Sequence, residues 1–233
     1  MKLAWRGNAL GKVIIQDLTT KNPITTIGYE AGICWGSDVS DEKKNYKRGF
    51  GCLEANHGRT LEFPQVYLTL DGYSARVIRE WYTHIGGAPT RLQASTRYVD
   101  YEHGFDYVTP YSIENRPEAK AAYDKCMNNI KAALKKLDGL GIQKEDSAML
   151  LPLGMTTKVV TRTNLRALID MAHQRTCSRA YWEFRTMFHE ICAALGDYSD
   201  EWECIVENYM VPKCDVLGYC PEKKSCGWKP KRR

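Results

Sequence analysis

The plainest pattern along the chain is an alternation. From Gln65 to Leu70 the apolar residues Val66, Leu68 and Leu70 fall on one face, the spacing of a half-buried strand. Lys12 to Thr19, rich in β-branched residues, reads as another strand, and so does Thr156 to Thr161. Asp71-Gly72 is expected to end the Gln65 strand. Elsewhere the period is helical. Ser74 is placed to cap a helix running to about Tyr82, with Val77, Ile78 and Trp81 on its apolar side. Pro117 opens a long amphipathic helix through Ala121, Ala122, Met127, Ile130, Ala133 and Leu134, ending near Gly139. Asn164 to Gln174 aligns Leu165, Leu168, Ile169 and Ala172. Ala180 to Leu195, with a cap expected at Ser178, aligns Phe184, Phe188, Ile191 and Leu195.

Between these elements the pattern weakens. Residues 36–48 are polar and lysine-rich, and read as a loop entering a short helix. Gly86-Gly87-Ala88-Pro89 breaks the chain, and residues 98–112 read as loop or irregular strand. Asp146 to Leu151 fits no single state, and from Val211 a short, loosely packed tail is expected. No repeat and no linker divides the chain. Strands alternating with helices point to a single α+β or α/β domain.

Composition narrows the class without naming a function. The chain has 233 residues, 43% hydrophobic and 26% charged, ordinary values for a globular domain with a core. Apolar runs such as Met149-Leu150-Leu151 are too short to span a bilayer, and Met1 to Arg6 lacks the apolar core of a leader. A cytoplasmic protein without a membrane partner is expected. Nine cysteines, an odd number and mostly scattered, suggest reduced thiols rather than a disulfide scaffold. Cys204, Cys214, Cys220 and Cys226 lack the close pairs that open zinc sites, so no metal is expected. The net charge of +5 gathers partly in Lys223-Lys224, Lys229 and Lys231-Arg232-Arg233. Such a tail attracts nucleic acid without specificity or is simply solvated, and the excess also suits anionic small molecules.

Common signatures are missing: no dinucleotide G-x-G-x-x-G, no Walker lysine loop, no G-x-S-x-G elbow and no Pro-Cys-His. Two arginine-bearing segments remain. Thr90-Arg91-Leu92-Gln93-Ala94-Ser95-Thr96-Arg97-Tyr98 offers hydroxyl, amide and guanidinium groups, and reads either as a phosphate cradle or as a solvated turn. Arg175 falls at a helix end, where a cation is favoured for structure alone or held for chemistry.

Taken together and in order, these segments resemble the flavin-dependent thymidylate synthases. Their signature R-H-R-x-x-S-x-N/S-E/Q-x-S-x-R is matched in its last third by Gln93, Ser95 and Arg97, and Glu80 to His84 resembles the segment leading into R-H-R. His57 to Glu62 resembles H-E-S-x-L/F-E. Leu151-Pro152-Leu153, then Asn164-x-Arg166, then Arg175 with Ala180-Tyr181-Trp182-Glu183, resembles L-P…N-x-R…R-x-x-x-x-A-Q-W-E. The resemblance covers roughly residues 12–213.

It implies a single α+β domain over residues 1–213, with a central sheet and long helices, followed by a short cysteine-bearing basic tail over 214–233. It implies that Glu80, Gln93, Ser95, Arg97 and Arg175 hold dUMP or a similar pyrimidine nucleotide, with Arg175 also catalytic at the pyrimidine ring. It assigns Glu62, His84, Asn164, Arg166 and Asp170 to FAD. It further implies NADPH and 5,10-methylenetetrahydrofolate as co-substrates, a homotetramer with shared active sites, no specific nucleic acid and no protein nucleophile.

The chain departs from this pattern at named places. Thr83 and Ile85 stand where R-H-R has arginines, Gly86-Gly87 resembles an insertion, and Ala148 replaces a further arginine. Each charge-assisted bond so lost is worth about 1.5–3 kcal/mol, and Arg91 and Arg59 are the candidates to replace part of it. The readings open at this point are methylation of dUMP, modification at C5 of UMP or dCMP, and nucleotide or flavin binding without turnover.

Overall fold

Val66, Leu68 and Leu70 are fully buried, as their alternation requires. They lie on the inner face of a four-stranded antiparallel sheet of order β1-β2-β4-β3, in a computed structural model that describes residues 10–101 and 103–232. The leader reading at Met1 to Arg6 lies outside the described residues. The strands are β1 Lys12–Ile15, β2 Gln65–Ser74, β3 Thr90–Gln93 and β4 Thr156–Asn164. The helices are α1 Pro23–Cys34, α2 Glu42–Glu54, α3 Ala75–Trp81, α4 Tyr111–Glu114, α5 Pro117–Gly139, α6 Lys144–Ser147, α7 Leu165–Arg175, α8 Trp182–Tyr198, α9 Asp200–Asn208 and α10 Lys213–Leu217. The class is α+β, with the helices packed on an antiparallel sheet.

Pairing sets the two faces. Leu68 opposes Thr161 and Leu70 opposes Val159 on the inner face, where α1, α3, α7, α8 and α9 add Ile27, Ile78, Leu168, Phe188 and Trp202 to one core. On the outer face Ile14, Thr69, Val160 and Leu92 stand in register across all four strands. Ile14, Val160 and Leu92 are exposed there. A smaller cluster of Phe105, Met127, Leu134 and Met155 seats α5.

Several local expectations need correction. β2 does not stop at Asp71-Gly72: the register shifts between Asp71 and Tyr73, and the strand continues through a bulge to Ser74. Thr90 to Gln93 is an edge strand on β4 rather than part of a loop. Residues 36–48 lead into a helix of 13 residues, α2, capped by Asp41. Ser178 caps nothing in α8, which starts at Trp182 with Tyr181 before it. The chain after Val211 is not loose. It forms α10 and buries Cys214 and Cys220, while Lys229 and Trp228 Nε1 both reach Asp215.

Tertiary contacts complete the placing of α1 and α2. The N-cap residue of α1, Asn22, gives no side-chain bond. The distant carboxylate of Glu201 accepts instead from Ile24 N at 2.6 Å and Thr25 N at 3.0 Å. α1 and α2 then meet backbone to backbone. A Cβ on Gly28 would fall 1.8 Å from Asn45 O, and one on Gly49 would fall 1.9 Å from Ile24 O.

Candidate active site

Two strands turn into helices without a connecting loop. Ser74 ends β2 and caps α3, its Oγ accepting from Val77 N at 3.1 Å. Asn164 ends β4 and caps α7, its Oδ1 accepting from Ala167 N at 2.9 Å. α8 is locked to the same frame by Glu183, which is buried. Its carboxylate accepts from Ser74 N at 2.7 Å, from Ser74 Oγ at 2.6 Å and from Tyr181 Oη at 3.2 Å.

This frame brings the ends of α3 and α7 against Phe184. Trp81 stacks on the Phe184 ring at 5.8 Å, His84 meets it edge-on at 5.6 Å, and the Arg175 guanidinium lies over it at 4.3 Å. Arg175 Nε donates to His84 Nε2 at 2.8 Å, and Arg175 Nη1 stands 3.7 Å from Glu80 Oε2. A guanidinium can only donate, so His84 Nε2 is bare and the ring proton sits on Nδ1. Burial, then Arg175 and Arg91, push the His84 pKa down to about 4. Burial also lowers the Arg175 pKa while Glu80 opposes it; the guanidinium stays charged.

His84, Asp170 and Arg175 line a cavity of about 350 Å³, together with Thr83, Ile85 and Gly86. That is room for one ring system, at the small end of ligand sites. The lining offers the Arg175 guanidinium, a neutral imidazole and the Asp170 carboxylate. A heteroaromatic ring rimmed with N–H and C=O groups finds partners of both kinds there, so these residues fit a flavin ring or a nucleobase.

The other expected residues make contacts of their own. Arg166 Nη1 donates to Glu62 Oε1 at 2.8 Å, and Arg59 adds a second contact to Glu62 at 3.3 Å. Asn164 presses its amide on Gly87, where an added Cβ would sit 2.6 Å from Asn164 Nδ2. Gln93, Ser95 and Arg97 form a third set. Gln93 Nε2 reaches Thr157 Oγ1 at 3.4 Å, Ser95 Oγ accepts from Arg97 N at 3.3 Å, and Arg97 Nε donates to Glu145 at 2.8 Å. Arg97 is largely exposed, and among the described residues no hydrogen bond or ion pair links this set to Arg175.

Phe184 is the residue that sequence reasoning placed only in the core. It is fully buried, and nothing in the sequence marks a core phenylalanine as the seat of a guanidinium. A second cavity, of about 470 Å³, also borders Arg175 and is lined by Cys177, Cys214, Cys220 and Cys226. All nine cysteines are free. Among the described residues no group of three or more His, Cys, Asp or Glu stands close enough to hold a metal, and no helix is long and apolar enough to cross a membrane.

Residues 17–197 match the family described as thymidylate synthase complementing protein. The flavin-dependent thymidylate synthase of Nitratidesulfovibrio vulgaris is 29% identical over 221 residues, covering 88% of this chain and 87% of that protein. The enzyme of the same name from Pyrococcus furiosus is 28% identical over 219 residues, covering 88% and 87%. Among solved structures, the UMP/dUMP methylase PolB of Streptomyces cacaoi, bound with 5-Br dUMP, superposes with a TM-score of 0.71 at 15% identity. It covers 88% of this chain and 98% of that one. Thymidylate Synthase X of Helicobacter pylori, with FAD and dUMP, gives a TM-score of 0.64 at 18% identity, covering 85% and 100%. These two likenesses speak to the fold.

Proposed function

The chain belongs to the thymidylate synthase complementing proteins, the flavin-dependent thymidylate synthases, and from that membership we propose that it methylates dUMP at C5 to give dTMP. FAD is its cofactor, and 5,10-methylenetetrahydrofolate and NADPH are co-substrates. The observation that carries the reading is the Arg175–His84 pair on Phe184, at the mouth of a ring-sized cavity.

Arg175 is the catalytic residue of this proposal. Its guanidinium is partly withdrawn from water and held at a fixed angle by His84 and Phe184. A cation so held stabilises negative charge developing on a pyrimidine ring at no further reorganisation cost. Glu80 steadies Arg175 from the other side. Gln93, Ser95 and Arg97 take the nucleotide, with the Arg97 fork suited to its phosphate. His84, Asp170, Asn164, Arg166 and Glu62 hold FAD, which when bound supplies the hydride. The protein binds, orients and excludes water, and no thiol of the chain is needed as nucleophile.

Residues 1–213 make the catalytic domain in this reading and residues 214–233 its tail. A homotetramer with shared sites is supported by two features. Among the described residues the Arg97 set and the Arg175 set share no hydrogen bond or ion pair. The outer sheet face also carries the exposed line Ile14, Val160 and Leu92, a surface that a second copy would cover.

Purified protein is expected to be yellow and to release tritium from 5-tritiated dUMP only when NADPH and methylenetetrahydrofolate are both present. Release from UMP or dCMP but not from dUMP would transfer the reading to another pyrimidine nucleotide. Colourless protein that gains no flavin on titration would end the flavoenzyme reading.

A further inference from the structure

Two guanidinium groups flank His84, and the site described so far uses only one. The other belongs to Arg91. From β3 it reaches back onto the end of α3, where Nη1 donates to Tyr82 O at 3.2 Å and Nη2 to His84 O, with the group 5.2 Å from the Tyr82 ring centroid. Those two bonds use two of its five N–H donors. Its Nε is buried and has no acceptor. Among the described residues no carboxylate is paired with it, although burial already disfavours its charge. Arg59, the other candidate to replace the missing arginines, differs on every count. Its side chain is 87% exposed and already pairs with Glu62 at 3.3 Å.

A half-buried cation that spends itself on two carbonyls, beside a second cation, leaves an uncompensated charge and donors without acceptors. That arrangement is costly unless an anion arrives. The anion would meet the turn Thr83-His84-Ile85, whose own side chains bring no positive charge. We infer that Arg91 is the anion anchor of this site, binding a phosphate oxygen of the ligand seated at the His84 turn. The inference rests on the functional reading above, in which both ligands, the nucleotide and the flavin dinucleotide, carry phosphate.

The test compares each phosphorylated ligand with its phosphate-free counterpart. FAD and riboflavin are titrated by fluorescence, dUMP and deoxyuridine by calorimetry, on wild type, Arg91→Gln and Arg91→Lys. Arg91→Gln should weaken one phosphorylated ligand roughly ten- to hundredfold, the loss expected for a charged hydrogen bond, and change its counterpart less than twofold. The ligand affected identifies whose phosphate Arg91 holds. Arg91→Lys should lose less, because it keeps the charge without the fork, and it carries the test if Arg91→Gln does not fold. Parallel losses for both members of a pair would mean that Arg91 only shapes the turn, and no loss for any ligand would mean that it binds none. Either result overturns the inference alone. Wild-type protein that binds neither FAD nor dUMP overturns the functional reading and this inference with it.

Discussion

Arg175 gives its Nε–H to the imidazole of His84, at 2.8 Å, in preference to the carboxylate of Glu80, 3.7 Å from Nη1. A cation held by a neutral ring keeps more of its charge for a ligand than one neutralised in a tight ion pair. Arg175→Ala should therefore cut turnover roughly hundredfold or more, the scale of losing one preorganised charge in an active site. Melting temperature should change little, since the stack on Phe184 is lost together with a desolvated charge. Tritium release and a thermal melt on the same preparation check this. Unchanged turnover would leave Arg175 as a helix-end cation.

The same contact makes the protein sensitive to acid. An unfolded histidine takes its proton near pH 6.5, while folded His84 resists until about pH 4. Between those values the unfolded chain binds more protons, so stability is full above about pH 6.5 and falls as pH drops toward 4. Besides Arg175 and Arg91, His84 faces Asp170 across the cavity, and His189 and Glu190 are also shifted, so the contribution must be isolated by comparison. His84→Gln keeps an acceptor for Arg175 and removes the titration. The difference between variant and wild type should narrow by on the order of 1–2 kcal/mol over that window, allowing for partial solvation. Parallel urea stabilities at each pH would refute it.

Arg97 lies at the exposed end of the third set and pairs with Glu145. Exposed pairs contribute about 0–1 kcal/mol, so Arg97→Lys should leave the melt almost unmoved. Its dUMP affinity should fall roughly tenfold, because an ammonium cannot reproduce the two-pronged bond to phosphate. Equal affinities by calorimetry would remove Arg97 from the nucleotide site.

Glu183 is a structural keystone rather than a reagent. Removing its carboxylate strands two donors of Ser74 in the core. Glu183→Ala should cost about 2–4 kcal/mol and Ser74→Ala about 1–2 kcal/mol. The double variant should cost less than the sum, since both remove the same bonds. Additive losses in chemical denaturation would show that the two residues act separately.

Gly28 and Gly49 leave no room for a side chain between α1 and α2. Gly28→Ala should destabilise by about 3 kcal/mol, because backbone must move to admit the methyl group. Gly51→Ala, in the same α2 but with nothing within 4 Å, should stabilise by about 0.5–1 kcal/mol. Similar denaturation midpoints for the two variants would contradict this packing.

Local signals were legible and distant ones were not. Ser74 and Pro117 announced their helices because a cap or a fixed φ acts within one turn, and α7 announced itself by its period while its Asn164 cap did not. α1 opens on Pro23 as α5 opens on Pro117, but its start is capped by Glu201, far along the chain, and its glycines serve the contact with α2. β3 is four residues long and exists by pairing with β4. Ser178 misled, since a serine before an apolar period caps only when the backbone turns there. In the site, the ordered motifs brought Glu80, His84, Asp170 and Arg175 to notice, and the structure gathers them. The bond between Arg175 and His84, the platform of Phe184 and the reach of Arg91 arise from residues brought together by the tertiary fold, beyond the range of any spacing rule.

Ser74 and Asn164 each belong to a strand and a helix at once. A helix turns about 100° per residue, so one residue inserted after either junction would rotate Glu80 or Arg175 away from the cavity. The sheet thus works as a counting frame: ten residues from Ser74 bring His84 into place, and eleven from Asn164 bring Arg175. Lineages and designers alike are bound to keep the length of these two spans.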